Sequence, residues 1–121
     1  MDLSTQKSTL SGTVNIPGSK SHTIRAVAIA SLADGISHIQ GPLDSSDTQA
    51  AVETYRALGA QIDQRDDGWH VTGTNGQLVA PSETIDVGNS GTTIRIAIGS
   101  CALIAEGTVT LTGDEQIQRR P

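Results

Sequence analysis

Gly18-Ser19-Lys20-Ser21-His22-Thr23-Ile24-Arg25 and Gly88-Asn89-Ser90-Gly91-Thr92-Thr93-Ile94-Arg95 are the two stretches that decide how this chain folds. Both end in Thr-Ile-Arg, with Arg25 and Arg95 70 positions apart. An apolar run follows each. Ala33-Asp34-Gly35 is then matched by Ala105-Glu106-Gly107, and Gly41 by Gly113. Self-similarity at a long, nearly fixed period marks a repeated supersecondary unit. Gly35 and Gly107 lie 72 positions apart, so the second helix is expected to be two residues longer than the first.

The flanking segments supply the rest of the unit. Residues 9–16 alternate loosely and read as a strand stopped by Pro17-Gly18. Ile24 to Ala33 is Ala-rich and apolar around most of a helical circumference, so a buried helix ending near Gly35 is expected. Ile36 to Gln40 reads as a strand. Asp44-Ser45-Ser46-Asp47 reads as a helix start, with at least one of the two aspartates expected to act as a cap. The helix it opens carries Ala51, Val52, Tyr55 and Leu58 on one stripe. Asp66-Asp67-Gly68 reads as the turn of a hairpin between Gln61–Arg65 and Trp69–Thr72. Thr84–Val87, a helix over Thr92–Ile104 and a strand over Thr108–Thr112 complete the pattern. The class is α/β (α+β in some schemes), built from β-α-β-α-β-β units. Residues 1–74 are expected to form one complete unit, 75–82 a loop, and 83–121 the start of a second unit.

Composition restricts function. The chain has 121 residues, no Phe, one Trp, one Tyr and a formal net charge of −5. It lacks the basic surplus and the stacking aromatics of a nucleic-acid binder. No apolar run approaches the length of a membrane span. The single Cys101 excludes an internal disulfide and suits a reducing compartment, so a cytoplasmic protein is expected. His22, His38 and His70 are scattered in sequence without metal-ligand spacing, so no metal site is expected.

The positive charges are unevenly placed. Five of eight Lys and Arg residues fall at Lys20, Arg25, Arg95, Arg119 and Arg120. The first two strings each run from a Gly-rich turn into a helix, where free N–H groups and the helix dipole favour an anion. Lys20 adds a charge, Ser21 a hydroxyl, and Arg25 a fork on the same face that can grip carboxylate or phosphate through two bonds. A nucleoside-triphosphate loop is disfavoured, because it would need glycine at 14 and 19, which are Val14 and Ser19. The expected ligand is a small, multiply charged anion.

Taken in order, Pro17-Gly18-Ser19-Lys20-Ser21 with Arg25, the Asp44–Asp47 string, Gly88-Asn89-Ser90-Gly91-Thr92 with Arg95, and Arg120-Pro121 resemble the 5-enolpyruvylshikimate-3-phosphate synthase family. The resemblance covers residues 16–121. It implies transfer of the enolpyruvyl group of phosphoenolpyruvate to the 5-hydroxyl of shikimate 3-phosphate, with no metal or organic cofactor. By resemblance, Lys20 contacts both substrates near the reacting centre and is the catalytic candidate. Ser21 and Arg25 hold the shikimate end. Asn89, Gly91, Thr92 and Arg120 lie at phosphoenolpyruvate, and Asp47 and Arg95 support the site. Ile24, Ser46 and Gln116 depart from the frequent Asn, Asp and basic residue. The family implies two three-unit domains closing on substrate, so this polypeptide is expected to need the remainder of the enzyme for turnover. Two other readings remain at this point: the sister transferase acting on UDP-N-acetylglucosamine, and a non-catalytic anion-binding module.

Overall fold

The computed structural model describes residues 1–121. Its elements are α1 (Lys20–Leu32), β1 (Ile36–Ile39), α2 (Ser46–Ala57), β2 (Gln61–Arg65), β3 (Gly68–Thr72), β4 (Ile85–Asp86), α3 (Gly91–Cys101), β5 (Leu111–Thr112) and the short α4 (Glu115–Gln118). Strands β1, β3 and β2 form an antiparallel sheet in that order, while β4 and β5 pair in parallel. The hairpin forms as read, with Arg65 opposite Gly68 across the Asp66-Asp67 turn. Gly68 adopts φ 134°, a conformation open to glycine at little cost.

One face of the three-stranded sheet is covered by helices. Ile62, Trp69 and Val71 point into a core shared with Ile24, Val27, Val52, Tyr55 and Leu58. The α2 stripe is as expected: Ala51, Val52, Tyr55 and Leu58 are all fully buried. Helix α1 is only half buried, because Ile29 on its outer side is 70% exposed. Its apolar circumference overstated what its neighbours cover.

Three further expectations are corrected. Residues 9–16 form no strand. Gly12 sits at φ 136° in the middle of the stretch, and Leu10, Val14 and Ile16 remain exposed. Local alternation cannot supply the ladder partner that makes a strand. Helix α3 is shorter than α1, with 11 residues against 13. Its C-terminal turn tightens through three-residue bonds to Gly99, Ser100 and Cys101, so the extra residues lie in the turn toward Gly107. The last strand spans only Leu111–Thr112.

The glycines matched in sequence make similar backbone contacts. A Cβ on Gly18 would lie 2.4 Å from the Gly41 carbonyl oxygen, and one on Gly113 would lie 2.6 Å from the Gly88 oxygen. Each pair closes the turn before its helix against the turn after its strand. The equivalent Thr23 and Thr93 are both buried and both bond outward: Thr23 Oγ1 accepts from Leu43 N at 2.9 Å, and Thr93 Oγ1 donates to the Asp47 carbonyl at 3.4 Å.

Two buried hydroxyls test the packing with opposite signs. Tyr55 OH lies 2.7 Å from Ser100 Oγ, linking α2 to α3. Ser100 donates to the Ile96 carbonyl, so the phenol is the donor to Ser100. Burial pushes the Tyr55 pKa up and keeps that proton in place. By contrast, Ser31 Oγ is buried with no partner. Tyr55→Phe should destabilise the chain by about 1 kcal/mol, whereas Ser31→Ala should be neutral or stabilising by up to about 1 kcal/mol. Urea unfolding curves check both, and equal signs would refute the hydrogen-bond assignment.

Candidate anion-binding cleft

Three helix N-termini meet at one place. Helix α1 begins at Lys20 behind the N-cap Ser19, whose hydroxyl accepts from the His22 amide. Helix α2 begins at Ser46 behind Ser45, which forms a capping box with Thr48. The expectation of an aspartate cap there is overturned. Ser45 and Thr48 satisfy each other's backbone N–H groups, and Asp44 instead accepts from Gln49 Nε2 at 2.7 Å. That leaves Asp47 free to face the cleft. Helix α3 begins at Gly91, and no side chain caps it. Its N-cap Ser90 is diverted: the hydroxyl bonds to Thr93 Oγ1 at 2.7 Å and to the Asp47 carbonyl at 3.2 Å. These buried bonds lock the start of α3 to the start of α2.

Between them lies an open cleft of about 750 Å³ lined by Lys20, Arg25, Ser46, Asp47, Asn89, Gly91, Thr92, Arg95, Ile96 and Arg120. Four cations face one carboxylate, in a protein whose net charge is −5. Such a local surplus, backed by helix N-termini, attracts small polyanions and holds them in register.

Each cation is oriented. Lys20 Nζ pairs with Asp47 Oδ2 at 2.5 Å. Arg25 Nη1 donates to the Ser21 carbonyl at 2.9 Å, which fixes the guanidinium one turn into α1. Arg120 Nη2 donates to Asn89 Oδ1 at 3.1 Å, and Asn89 Nδ2 donates to Gln116 Oε1 at 3.0 Å. Arg95 donates to the Pro121 carbonyl. A Cβ at Gly91 would sit 2.6 Å from Arg120 Nη1, so glycine there makes room for the guanidinium.

Of the residues singled out from sequence, eight line this cleft: Lys20, Arg25, Asp47, Asn89, Gly91, Thr92, Arg95 and Arg120. Ser21 is exposed and does not line it; its backbone holds Arg25 instead. Sequence reading noted Ser46 only as a departure from the family pattern, and passed over Ile96 as a lining residue and the Ser90–Thr93 lock. A Ser-x-x-Thr spacing at a helix start was the available signal for that lock.

A family model described as EPSP synthase (3-phosphoshikimate 1-carboxyvinyltransferase) matches residues 4–121. A 3-phosphoshikimate 1-carboxyvinyltransferase of Acetivibrio thermocellus is 54% identical over the whole chain, which covers 28% of that relative. One from Methanothermobacter thermautotrophicus is 48% identical, with 29% of its length covered. The solved EPSP synthase from Acinetobacter baumannii superposes with a TM-score of 0.80 at 30% identity, over 91% of this chain and 25% of that one. The chain thus spans under a third of the length of the relatives it matches.

Proposed function

The chain belongs to the EPSP synthase family, and from that premise we propose that its cleft forms one wall of a site moving an enolpyruvyl group from phosphoenolpyruvate to the 5-hydroxyl of shikimate 3-phosphate. The observation that carries this reading is the convergence of Lys20, Arg25, Arg95 and Arg120 on one cleft. Both substrates are polyanions. At an effective dielectric of 20, each pair of like unit charges 5 Å apart costs about 3 kcal/mol. Bringing a phosphate and a carboxylate of each substrate together therefore needs several fixed cations.

In this proposal Lys20 lies between the two substrates and is the catalytic cation. Arg25 and Ser21 hold shikimate 3-phosphate, with Ser21 requiring a side-chain rotation toward the ligand. Asn89, Gly91, Thr92 and Arg120 hold phosphoenolpyruvate through a guanidinium, an amide and the amides of the uncapped α3 start. Asp47 holds Lys20 in place, and Arg95 adds charge. Fixed donors of this kind position the reactants and stabilise charge in the transition state without reorganising. We read residues 1–74 as the first repeated unit and 83–121 as the start of a second, supported by the paired Gly18–Gly41 and Gly88–Gly113 contacts. The free Cys101 thiol supports a reducing, cytoplasmic setting. The family match and the named relatives favour shikimate 3-phosphate over a nucleotide-sugar acceptor.

The test is calorimetric titration of the chain with shikimate 3-phosphate and, separately, UDP-N-acetylglucosamine. The expected result is saturable, salt-sensitive binding of the first, weakened about tenfold or more between 50 and 300 mM salt. Because the chain spans under a third of its relatives, no turnover is expected from it alone. Preference for the nucleotide sugar, or binding indifferent to loss of Arg25 and Lys20, would overturn the proposal.

A further inference from the structure

The sheet face turned away from the helices carries a second cluster, which shares no residue with the cleft. Strand pairing puts His38 of β1 directly opposite His70 of β3. Their rings stack with centroids 4.3 Å apart and planes inclined by 17°. The hairpin turn brings Asp67 over the same edge. Its carboxylate oxygens lie 3.3 Å from His70 Nε2, and Oδ2 lies 3.9 Å from His38 Nε2. One ligand atom from each of the three residues falls within 4.8 Å of the others. His38 and His70 are distant along the chain, but the antiparallel register makes these two neighbours.

We propose that His38, Asp67 and His70 bind a divalent transition-metal ion of the Zn2+ type. A tetrahedral ion with ligands at 2.0–2.1 Å needs ligand atoms about 3.3 Å apart: the Asp67–His70 separation already fits, while the stacked imidazoles must turn out of their near-parallel planes to aim both nitrogens at one ion. Two imidazole nitrogens and one carboxylate suit Zn2+, Co2+, Ni2+ or Cu2+, whereas Mg2+ and Ca2+ prefer all-oxygen sets. The fourth position would be water. Asp63, the cross-strand partner of His70, is held by Arg65 at 2.6 Å, which leaves Asp67 as the carboxylate available to an ion.

The backbone is shaped around the cluster. A Cβ on Gly68 would lie 2.5 Å from the Ile39 carbonyl oxygen and 2.7 Å from His38 Nε2, so the hairpin backbone passes close beside this imidazole. His38 Nε2 now donates to the Asp67 carbonyl at 3.1 Å, which aims that nitrogen at the turn. Binding metal needs the proton moved to Nδ1 or lost. The bound ion would clamp β1 to the hairpin tip.

The competing reading is a hydrogen-bonded clasp that never takes metal. Titration of tag-free chain with ZnCl2 at pH 7.5, read by competition with a chromophoric chelator and by thermal unfolding, separates the two. One saturable ion per chain and a raised unfolding temperature are expected, with no effect of MgCl2. His38→Gln and His70→Gln should each weaken binding about tenfold or more. Asp67→Asn should weaken it too and, because that turn side chain is 63% exposed, should leave the fold intact. His22→Gln should bind as the parent does. Absence of saturable binding, unchanged affinity in Asp67→Asn, or loss of binding in His22→Gln would each overturn the proposal.

Discussion

Gly18→Ala is expected to destabilise the chain by about 3 kcal/mol and to lower its melting temperature by roughly 10–15 °C. The added methyl would lie 2.4 Å from the Gly41 carbonyl oxygen and 2.9 Å from the Leu43 amide nitrogen. Both are backbone atoms and cannot swing aside as a side-chain tip can. Gly18 is not among the positive-φ glycines, so the cost is steric rather than conformational. Relief requires moving the 41–43 turn away from α1, which would also strain the Leu43–Thr23 hydrogen bond. The control is Gly99→Ala, in helix α3 with nothing within 4 Å of the new atom. There the helix propensity of alanine should stabilise the chain by about 0.5–1 kcal/mol. Urea unfolding of the two variants should shift in opposite directions. A Gly18→Ala midpoint equal to that of the parent would show that the turns do not approach each other as described. Because Gly18 sets where α1 begins, the variant should also weaken anion binding at Lys20.

The second large effect is electrostatic. Lys20→Ala should weaken binding of shikimate 3-phosphate about 100-fold, while Asp47→Asn should tighten binding of inorganic phosphate about threefold to tenfold. Lys20 is half exposed, so bulk Coulomb attraction alone is small. A charge-assisted hydrogen bond to phosphate contributes about 1.5–3 kcal/mol, which accounts for most of the expected loss. The remainder comes from Asp47, which loses its partner and faces the anion unneutralised. Removing the Asp47 charge does the reverse: it frees Lys20 and deletes the one carboxylate lining the cleft. The cost to α2 is small, because an acid in the first turn contributes about 0.3–1 kcal/mol. Calorimetry at low salt with both anions measures the two variants. If both changes have the same sign, Lys20 and Asp47 do not act as an opposed pair at the anion.

The cleft was legible because its residues lie beside helix starts, and helix starts have local signatures. Gly-rich turns, Lys20 and the repeated Thr-Ile-Arg mark two of the three N-termini without reference to anything distant. The third was misread in detail. Ser45, rather than an aspartate, caps α2, because two hydroxyl residues at the right spacing close a reciprocal box. That exchange is what frees Asp47 for Lys20. The Ser90–Thr93 lock and the Gln116–Asn89–Arg120 chain were not legible, since each depends on which turn packs beside which.

The amino-acid order alone determined the buried stripe of α2, the hairpin and the residues from which an anion site would be made, because each follows from spacing along a few turns of chain. The tertiary structure decided what those residues do to one another. Residues 9–16 alternate like a strand yet have no partner to pair with, and Ile29 is apolar yet uncovered. His38 and His70, far apart in sequence, stack across a sheet. The physical reason is the same in each case: hydrogen-bond ladders, burial and ligand geometry are properties of pairs, and the partner is named by packing rather than by the neighbouring residues.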